Sequence, residues 1–326
     1  MTFGASMHKE PLQTDQQWAL LGLGQALHKR GYRFITATPL THERVNERHD
    51  NAMARDLAGV FGWSRPFLPE LLDAELLELM RAADILIEEG SGQLRSAVRF
   101  SSLGEQLFVH SRYPTSQADS VFFGPDTYRF VRAIDVFLNV PCSSAINRAV
   151  DICCGAGPGA QCIALARPQA EVLAVDINPR ALAFTGVNAA LSGADNLRAQ
   201  HSDLLKDVDG DFDLIVANPP YMLDSESRAY RDGGGELGAG LSRAIVEAAI
   251  ARLAPGGTLL LYTGVAMIAS GDPFLAYIRD TLGDSSLAWR YEEMDPDVFG
   301  EELLKPGYEA VERIAAVVLT VTRRTD

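Results

Sequence analysis

The chain has 326 residues, of which 47% are hydrophobic and 22% charged, and this length suits one large domain together with a smaller one. A formal net charge of −14 argues against tight, non-specific nucleic-acid binding, because such binding depends on Lys and Arg neutralising phosphates. Residues 1–15 lack the apolar segment of a secretory signal, and the most apolar run, residues 257–270, is too short for a membrane span, so we expect a cytoplasmic protein without a membrane partner.

The first part of the chain has mostly helical patterns. Residues 16–32 carry apolar side chains at helical spacing, and Gly31 near their end is typical of a helix C-cap. Residues 67–90 show the same pattern and predict a second long helix. Residues 96–114 alternate in two short runs and predict a β-hairpin. We expect residues 1–118 to form a smaller α+β, mainly helical domain that recognises the substrate or closes over it.

The second part, residues 119–326, alternates apolar strands with amphipathic helices. This alternation is typical of a parallel sheet that is covered on both faces. The last two strands are separated by a loop and predict an antiparallel hairpin at the sheet edge. We therefore predict an α/β fold with a doubly wound, mostly parallel, seven-stranded sheet. The predicted strands are residues 148–154, 171–177, 196–202, 212–218, 258–264, 287–294 and 313–323.

A glycine-rich segment, DICCGAGPGA, follows from the first predicted strand of this sheet. Gly155, Gly157 and Gly159 allow a sharp turn and let a ligand lie against the main chain, where a Cβ would collide with it. Gly155 and Gly157 together with Ala160 also satisfy the dinucleotide-binding fingerprint. The segment predicts a nucleotide-containing cofactor and leaves NAD and S-adenosyl-L-methionine open.

Two aspartates follow the next predicted strands. Asp176 ends the second strand, where a carboxylate can accept hydrogen bonds from the ribose of either cofactor; alternatively, it caps a helix that starts near Pro179. Asp203 comes just after the third strand, within reach of an adenine amino group, and it also suits an exposed turn. Asp176 and Asp203 are therefore candidate cofactor ligands.

The fourth predicted strand ends in Asn218-Pro219-Pro220-Tyr221. An amide or exocyclic amine nitrogen is a poor nucleophile, and the Asn218 side-chain oxygen and the Pro219 carbonyl could accept its two N–H bonds so that its lone pair faces a methyl donor. The prolines remove backbone donors, and Tyr221 offers a flat face to a planar group. A strand-ending turn is the alternative. The position of this motif after the fourth strand favours a catalytic role. A hydride-transfer enzyme has no use for such a motif.

Together these motifs resemble class I S-adenosylmethionine-dependent methyltransferases of the branch that modifies amino groups, namely adenine N6, cytosine N4, guanine N2 or glutamine N5. The resemblance implies a Rossmann-like fold over residues 119–326, S-adenosyl-L-methionine as cofactor, and Asn218 to Tyr221 as the catalytic motif. It also implies that Asp151 lies near the methionine amino group. Further cofactor-binding residues implied by it are Cys153, Gly155, Gly157, Asp176, Ile177, Asp203, Leu204 and Asn218.

Within that branch, residues 233–245 and 253–261 are most similar to the release-factor glutamine methyltransferases. The Pro-Arg-x-x-Thr-Glu segment of that family is represented here only by FGPDTYRF, with no Arg after Pro125. From the similarity of residues 233–245 and 253–261 to these enzymes, we expect a protein glutamine as the acceptor. A base of rRNA or DNA, a small molecule beneath an N-terminal lid, and a non-catalytic cofactor-binding protein are the alternatives. The oligomeric state is open.

The four cysteines, at positions 142, 153, 154 and 162, are crowded into one segment. They contain no CxxC pair and no histidine at metal-ligand spacing. A zinc site or a redox pair is conceivable from their number, but small apolar residues packed in a core explain them better. We expect no metal site and a reducing compartment.

Overall fold

The computed structural model describes residues 12–140, 145–224, 228, 230–283 and 285–325. Its N-terminal part starts with the predicted helix, in which Thr14 and Gln17 form a capping box and Gly31 adopts φ +69° just beyond the end. The N-terminal helices are α1 (Asp15–Lys29), α2 (Pro39–Asn46), α3 (Leu57–Phe61) and α4 (Ala74–Ala82).

The helix predicted over residues 67–90 is confirmed only over residues 74–82. Helix α4 ends at Ala82, and Asp84 takes the left-handed conformation, with φ 55°, that terminates it. The chain continues as strand β1 (Leu86–Gly90), paired antiparallel with β2 (Gln93–Ser96). The apolar run Ile85–Ile87 suits a strand as well as a helix, so its periodicity did not separate the two.

The predicted β-hairpin is confirmed. Strand β3 (Val98–Leu103) pairs antiparallel with β4 (Gln106–Ser111), and Gly104 at φ +58° makes the turn. Both strands are almost entirely buried, because they pack against α1, α3 and the helix Pro179–Ser192. The hairpin therefore belongs to the core of the N-terminal part.

The remaining chain forms the predicted doubly wound sheet. Its seven strands lie in the order β10-β11-β9-β8-β5-β6-β7. Strands β5 to β9 run parallel, whereas β11 is antiparallel to both β9 and β10 at the edge, as predicted. The elements are α5 (Pro125–Leu138), β5 (Arg148–Ile152), α6 (Pro158–Ala166), β6 (Glu171–Asp176), α7 (Pro179–Ser192), β7 (Leu197–His201), β8 (Phe212–Ala217), α8 (Gly240–Ile250), β9 (Leu253–Ile268), α9 (Pro273–Leu282), β10 (Ala288–Asp295) and β11 (Val311–Thr322).

The strand order reverses at β5, which lies between β6 and β8. In doubly wound sheets, ligands bind in the crevice outside the carboxyl ends of the strands at such a switch point. Ile152 pairs with Ala217, so the next residues, Cys153 and Asn218, leave the sheet side by side. The glycine segment and the Asn-Pro-Pro-Tyr motif are thereby brought to one place.

Alternate residues of the central strands pack into two separate cores. Leu214 and Val216 face α5 and α6, while Ile215 and Ala217 face α8 and α9. A third core joins the N-terminal part to α7, whose Phe184 lies in the same cluster as the α1 and hairpin residues. Because this cluster runs across residue 118, the division into 1–118 and 119–326 stays a prediction.

The cysteines within the described ranges are free thiols. Cys154 is buried in the core, and Cys162 Sγ donates to Asp135 Oδ1 at 3.0 Å, while Cys142 lies outside the described residues. Among the residues that the structure describes, no three His, Cys, Asp or Glu side chains are grouped to hold a metal ion. In the same part of the chain, no helix has both the length and the apolar character to cross a membrane.

Candidate active site

A cavity of about 350 Å³ lies at the carboxyl ends of β5, β6, β7 and β8. Most of the site residues predicted from the sequence line this cavity. Asp151 and Gly157 are the two predicted residues that do not line it. The predicted residues that line the cavity are Cys153, Gly155, Asp176, Ile177, Asp203, Leu204, Asn218, Pro219, Pro220 and Tyr221.

Gly155 provides open space at the cavity wall. It has φ +57°, and a Cβ built on it would meet no atom of the described chain within 4 Å. Its backbone N–H donates to Asp176 Oδ2 at 2.9 Å, so the carboxylate at the end of β6 holds the glycine loop in place. The space beside Gly155 is therefore where a ligand can approach the main chain.

Asp176 does not cap helix α7. That cap is Asn178, whose Oδ1 accepts from the Arg180 N–H at 3.0 Å, so the helix-cap alternative for Asp176 is wrong. Asp176 Oδ1 accepts from the Asn178 N–H at 2.9 Å. Burial raises the pKa of Asp176, whereas the hydrogen bonds from the Asn178 and Gly155 backbone N–H groups lower it. Each carboxylate oxygen keeps a further lone pair for a hydroxyl donor.

Gly157 faces away from the cavity. It starts α6 with φ +80°, and a Cβ there would lie 2.8 Å from Thr185 Cγ2 on α7. The left-handed backbone and the contact with a neighbouring helix, rather than open space for a ligand, favour glycine at this position.

Asp151 lies behind the glycine loop and is almost fully buried. Its Oδ2 accepts from the Ala160 N–H at 2.9 Å, and its Oδ1 has no hydrogen-bond partner within the described ranges. Burial raises the pKa of Asp151 to about 8, and the Asp176 carboxylate adds to this shift, while the Ala160 N–H opposes it. At neutral pH the carboxyl is therefore mostly protonated unless a cation comes close.

Asn218 is held by a residue that the sequence did not reveal. Its Nδ2 donates to Oδ2 of Asp126, at the start of α5, over 3.3 Å. Asn218 Oδ1 is buried and has no partner among the residues placed by the structure, and the same is true of Asp126 Oδ1. Burial raises the pKa of Asp126, and the hydrogen bond from Asn218 opposes the shift. The cavity wall thus contains unused acceptor atoms.

Tyr221 is fixed as a wall of the cavity. A Cβ on Gly264 of β9 would lie 2.3 Å from Tyr221 Cδ2, so the ring packs directly on the glycine backbone. Phe299 meets the same ring, with the ring centroids 6.2 Å apart and an interplanar angle of 61°. Phe299 also lines the cavity, and it stands in no recognisable motif from which sequence patterns could have predicted it.

Three non-glycine residues of the cavity wall have left-handed backbones. Cys153, Leu204 and Phe299 have φ values of 58°, 54° and 54°. Such conformations cost free energy in residues with a side chain, and they concentrate at ligand sites. Their grouping around one cavity supports its assignment as the functional site.

Two segments meet at the cavity wall. Tyr113 and Pro114 of the N-terminal part line the cavity, and Tyr230, which also lines it, donates its Oη hydrogen to the Thr115 carbonyl at 2.6 Å. Tyr230 belongs to the charged, glycine-rich segment 224–238, of which residues 225–227 and 229 lie outside the described ranges. Within this segment Arg228 pairs with Asp224 and, by this contact, lowers the pKa of Asp224 to about 2.

Residues 133–267 match the model of a family described as Methyltransferase small domain. The matched span runs from α5 to β9 and contains the glycine loop, Asp176 and Asn218. The matched segment is similar to this family of methyltransferase domains. It includes every site residue that the sequence predicted, whereas Asp126 and Phe299, which only the structure revealed, lie outside it.

Relatives of this domain include the release factor glutamine methyltransferase of Deinococcus radiodurans, which is 38% identical over 48% of this chain and 55% of its own length. The ribosomal protein uL3 glutamine methyltransferase of Neisseria meningitidis is 35% identical over 36% of this chain and 43% of its own. The 4-amino-L-phenylalanine/4-methylamino-L-phenylalanine methyltransferase of Streptomyces pristinaespiralis is 35% identical over 37% of this chain and 45% of its own length. The chain thus spans about half the length of the curated relatives it matches.

Among solved structures, the M. jannaschii tRNA m1G37 methyltransferase aligns with a TM-score of 0.47 and 14% identity, over 72% of this chain and 61% of that one.

Proposed function

We propose that the chain is an S-adenosyl-L-methionine-dependent N-methyltransferase that acts on a planar amide or amino nitrogen, with a protein glutamine as the acceptor. The observation that carries the proposal is the buried, unpartnered Oδ1 of Asn218 at the wall of the cavity that Gly155 leaves open. An acceptor atom without a donor, next to a space suited to a nucleotide, fits an enzyme that holds an N–H group beside a cofactor.

The cofactor is supported by the chemistry of the cavity wall. Asp176 offers free lone pairs to ribose hydroxyls, and Ile177, 52% exposed beside it, offers an apolar surface for a purine ring. The unpartnered oxygen of Asp151 lies behind the glycine loop and suits the ammonium of an amino acid moiety. Asp203 pairs with Lys206 at the rim, where its other lone pairs suit an adenine amino group. When bound, S-adenosyl-L-methionine supplies an electrophilic methyl group.

The chain's own part in the reaction is to hold the acceptor nitrogen. Asn218 Oδ1 and the Pro219 carbonyl would accept the two N–H bonds, which directs the lone pair away from both oxygens. Tyr221 and Phe299 would confine the planar group, and their fixed rings limit its orientation. Water can take the proton that the nitrogen loses, so no buried general base is required. Positioning of this kind can supply roughly 7–11 kcal/mol of the barrier reduction.

The names of the relatives support a protein glutamine as acceptor, since two of those described above are glutamine methyltransferases. A small aromatic amine is the second candidate acceptor, because a third relative is named for the methylation of amino-phenylalanine. The N-terminal part also contributes Tyr113 and Pro114 to the cavity wall, where they could contact such a small acceptor. A base of rRNA or DNA is disfavoured by the net charge of −14. We further propose a cytoplasmic enzyme whose N-terminal residues 1–118 select the acceptor.

A transfer assay tests the proposal. Labelled S-adenosyl-L-methionine is supplied with the enzyme to a fractionated lysate from cells that lack it, and label is counted separately in protein, nucleic acid and small molecules. We expect label in a protein band, at glutamine, and none with Asn218→Ala. Label in RNA or in a metabolite would overturn the acceptor, and cofactor binding without any transfer would identify a non-catalytic binding protein.

A further inference from the structure

Arg99 is a buried cation on the β3–β4 hairpin, opposite His110 in the register, and only 4% of its surface is exposed. Its Nη2 makes two long contacts, with Thr36 Oγ1 at 3.4 Å and the Phe123 carbonyl at 3.5 Å. Its Nε has no hydrogen-bond partner in the described part of the chain. A buried guanidinium is normally paired with a carboxylate, because its desolvation is costly.

No Asp or Glu among the described residues forms an ion pair with Arg99. His110 and His42 are buried, and burial together with the Arg99 charge lowers the pKa of both. Burial lowers the pKa of Arg99 to about 10, so it remains charged at neutral pH. Among the described residues, Arg99 is thus a buried positive charge without a carboxylate partner.

A small cavity lies beside this charge. It has a volume of about 20 Å³ and is lined by Thr36, Arg99, His110, Arg112, Tyr113 and Phe122, among others. Tyr113 and Phe122 also line the active-site cavity, together with Pro39 and Thr115. The two cavities are therefore neighbours that share part of their walls.

We propose that Arg99 anchors a subsite for a carboxylate group of the methyl acceptor, at the side of the active-site cavity that the N-terminal hairpin forms. The assignment of this carboxylate to the acceptor rests on the proposed function. The N-terminal part would then select the acceptor by charge, while Asn218 orients its nitrogen.

The geometry favours a carboxylate over larger anions. A planar group with two oxygens matches the edge of a guanidinium, which offers parallel N–H donors, and the unused Nε belongs to that edge. A volume of about 20 Å³ has room for roughly one or two water-sized groups, which is too little for the four oxygens of a phosphate. Arg112 on the same wall would add a second positive charge.

The first test uses formate as the probe, on the full chain and without cofactor. The melting temperature is followed against sodium formate, sodium phosphate and sodium chloride at equal ionic strength. We expect the melting temperature to rise with formate alone, by about 5 °C at a concentration roughly a hundredfold above its dissociation constant. A rise with phosphate as large as with formate would overturn the carboxylate assignment, and the absence of a formate effect beyond that of chloride would overturn the subsite.

Variants locate the effect. Arg99→Met keeps the volume and removes the charge, and it should lose the formate response, whereas Arg33→Met, at an exposed arginine of the same part, should keep it. A formate response that survives Arg99→Met would place the anion elsewhere. If Arg99→Met does not fold, the comparison of formate with phosphate on the unmodified chain still decides whether the protein has a site selective for a carboxylate.

A matched pair of compounds tests the link to the acceptor. The blocked dipeptides acetyl-Gln-Glu-amide and acetyl-Gln-Gln-amide both carry glutamine in peptide linkage, and only the first has a carboxylate. We expect calorimetry to show at least tenfold tighter binding of the glutamate peptide, and equal affinities in Arg99→Met. Equal affinities in the unmodified chain would refute the link. Neither measurement needs turnover, so a failed methyl transfer and a failed subsite are distinguishable.

Discussion

Asn218 Nδ2 donates to Asp126 Oδ2 across 3.3 Å, which joins the end of strand β8 to the first turn of helix α5. An ionised carboxylate can only accept, so the amide nitrogen must face Asp126 and the amide oxygen is left unpartnered. A protonated Asp126 could instead donate to that oxygen after the amide has rotated. The charge of Asp126 therefore decides which end of the Asn218 carboxamide is available to an acceptor N–H.

The first prediction concerns the dependence of activity on pH. Burial raises the pKa of Asp126, so kcat/KM should fall as the pH is lowered through that pKa, because the protonated carboxyl occupies Asn218 Oδ1. Asp126→Ala should reduce kcat about 10- to 100-fold, in line with the loss of a hydrogen bond to a charged group. The variant's pH profile should lack the Asp126 step, while cofactor affinity stays the same.

Asp135→Asn, an exposed position on the same helix, is the matched control and should keep both the rate and the pH profile. An unchanged profile in Asp126→Ala would show that Asp126 does not position the carboxamide.

A second prediction separates binding from transfer at Asn218. Asn218→Ala removes the unpartnered oxygen and should lower kcat by far more than tenfold, because this oxygen acts on the acceptor and not on the cofactor. Calorimetry should find the affinity for S-adenosyl-L-methionine within about threefold of the unmodified chain, well under 1 kcal/mol. Activity within tenfold of the unmodified enzyme would be inconsistent with the proposed mechanism.

Much of the sheet and the placement of the site could be predicted because the signals are local. Apolar strands that end in Gly155 or Asn218 meet at one edge when the strands are parallel, and the register Ile152 to Ala217 brings their ends together. The helix over 67–90 failed where an apolar, β-branched run had no glycine or proline to separate it from the preceding helix.

The rest of the site depends on contacts between distant segments. Asp126 lies 92 residues before Asn218, in a segment whose sequence signal was only a weak match to a family motif. Phe299 reaches Tyr221 from the loop between β10 and β11, and Arg99 lies on the buried hairpin. No periodicity or spacing encodes such partners, because tertiary packing alone decides which side chains meet.

The third prediction contrasts the two glycines of the loop. Gly155→Ala puts a methyl group into open space, so stability should fall only by the left-handed strain of about 1–2 kcal/mol, while the cofactor dissociation constant rises at least tenfold. Gly157→Ala meets Thr185 and should lose about 2–4 kcal/mol of unfolding free energy through overpacking and strain. Urea denaturation and calorimetry measure the two effects.

Thr185→Ser removes the methyl group that lies 2.8 Å from the added Cβ, so it should partly restore the stability of Gly157→Ala. No restoration in the double variant would mean that backbone strain, and not the contact with α7, sets the requirement for glycine.

The last prediction follows from the buried carboxyl of Asp151. Its pKa of about 8 in the folded chain lies far above the ordinary value of about 3.9, so between these two pH values the folded state binds more protons than the unfolded state. The free energy of unfolding therefore contains a contribution from Asp151 that is present at low pH and is lost as the pH rises from about 4 to 8.

Asp151→Asn keeps an acceptor for the Ala160 N–H and cannot ionise. Without cofactor, this variant should be more stable than the unmodified chain by about 2–4 kcal/mol at pH 8 and nearly equal to it at pH 4. Urea denaturation at both pH values measures the difference, with the exposed Asp280→Asn as the control for removing one negative charge. A difference that does not grow with pH would show that Asp151 is ionised in the free protein.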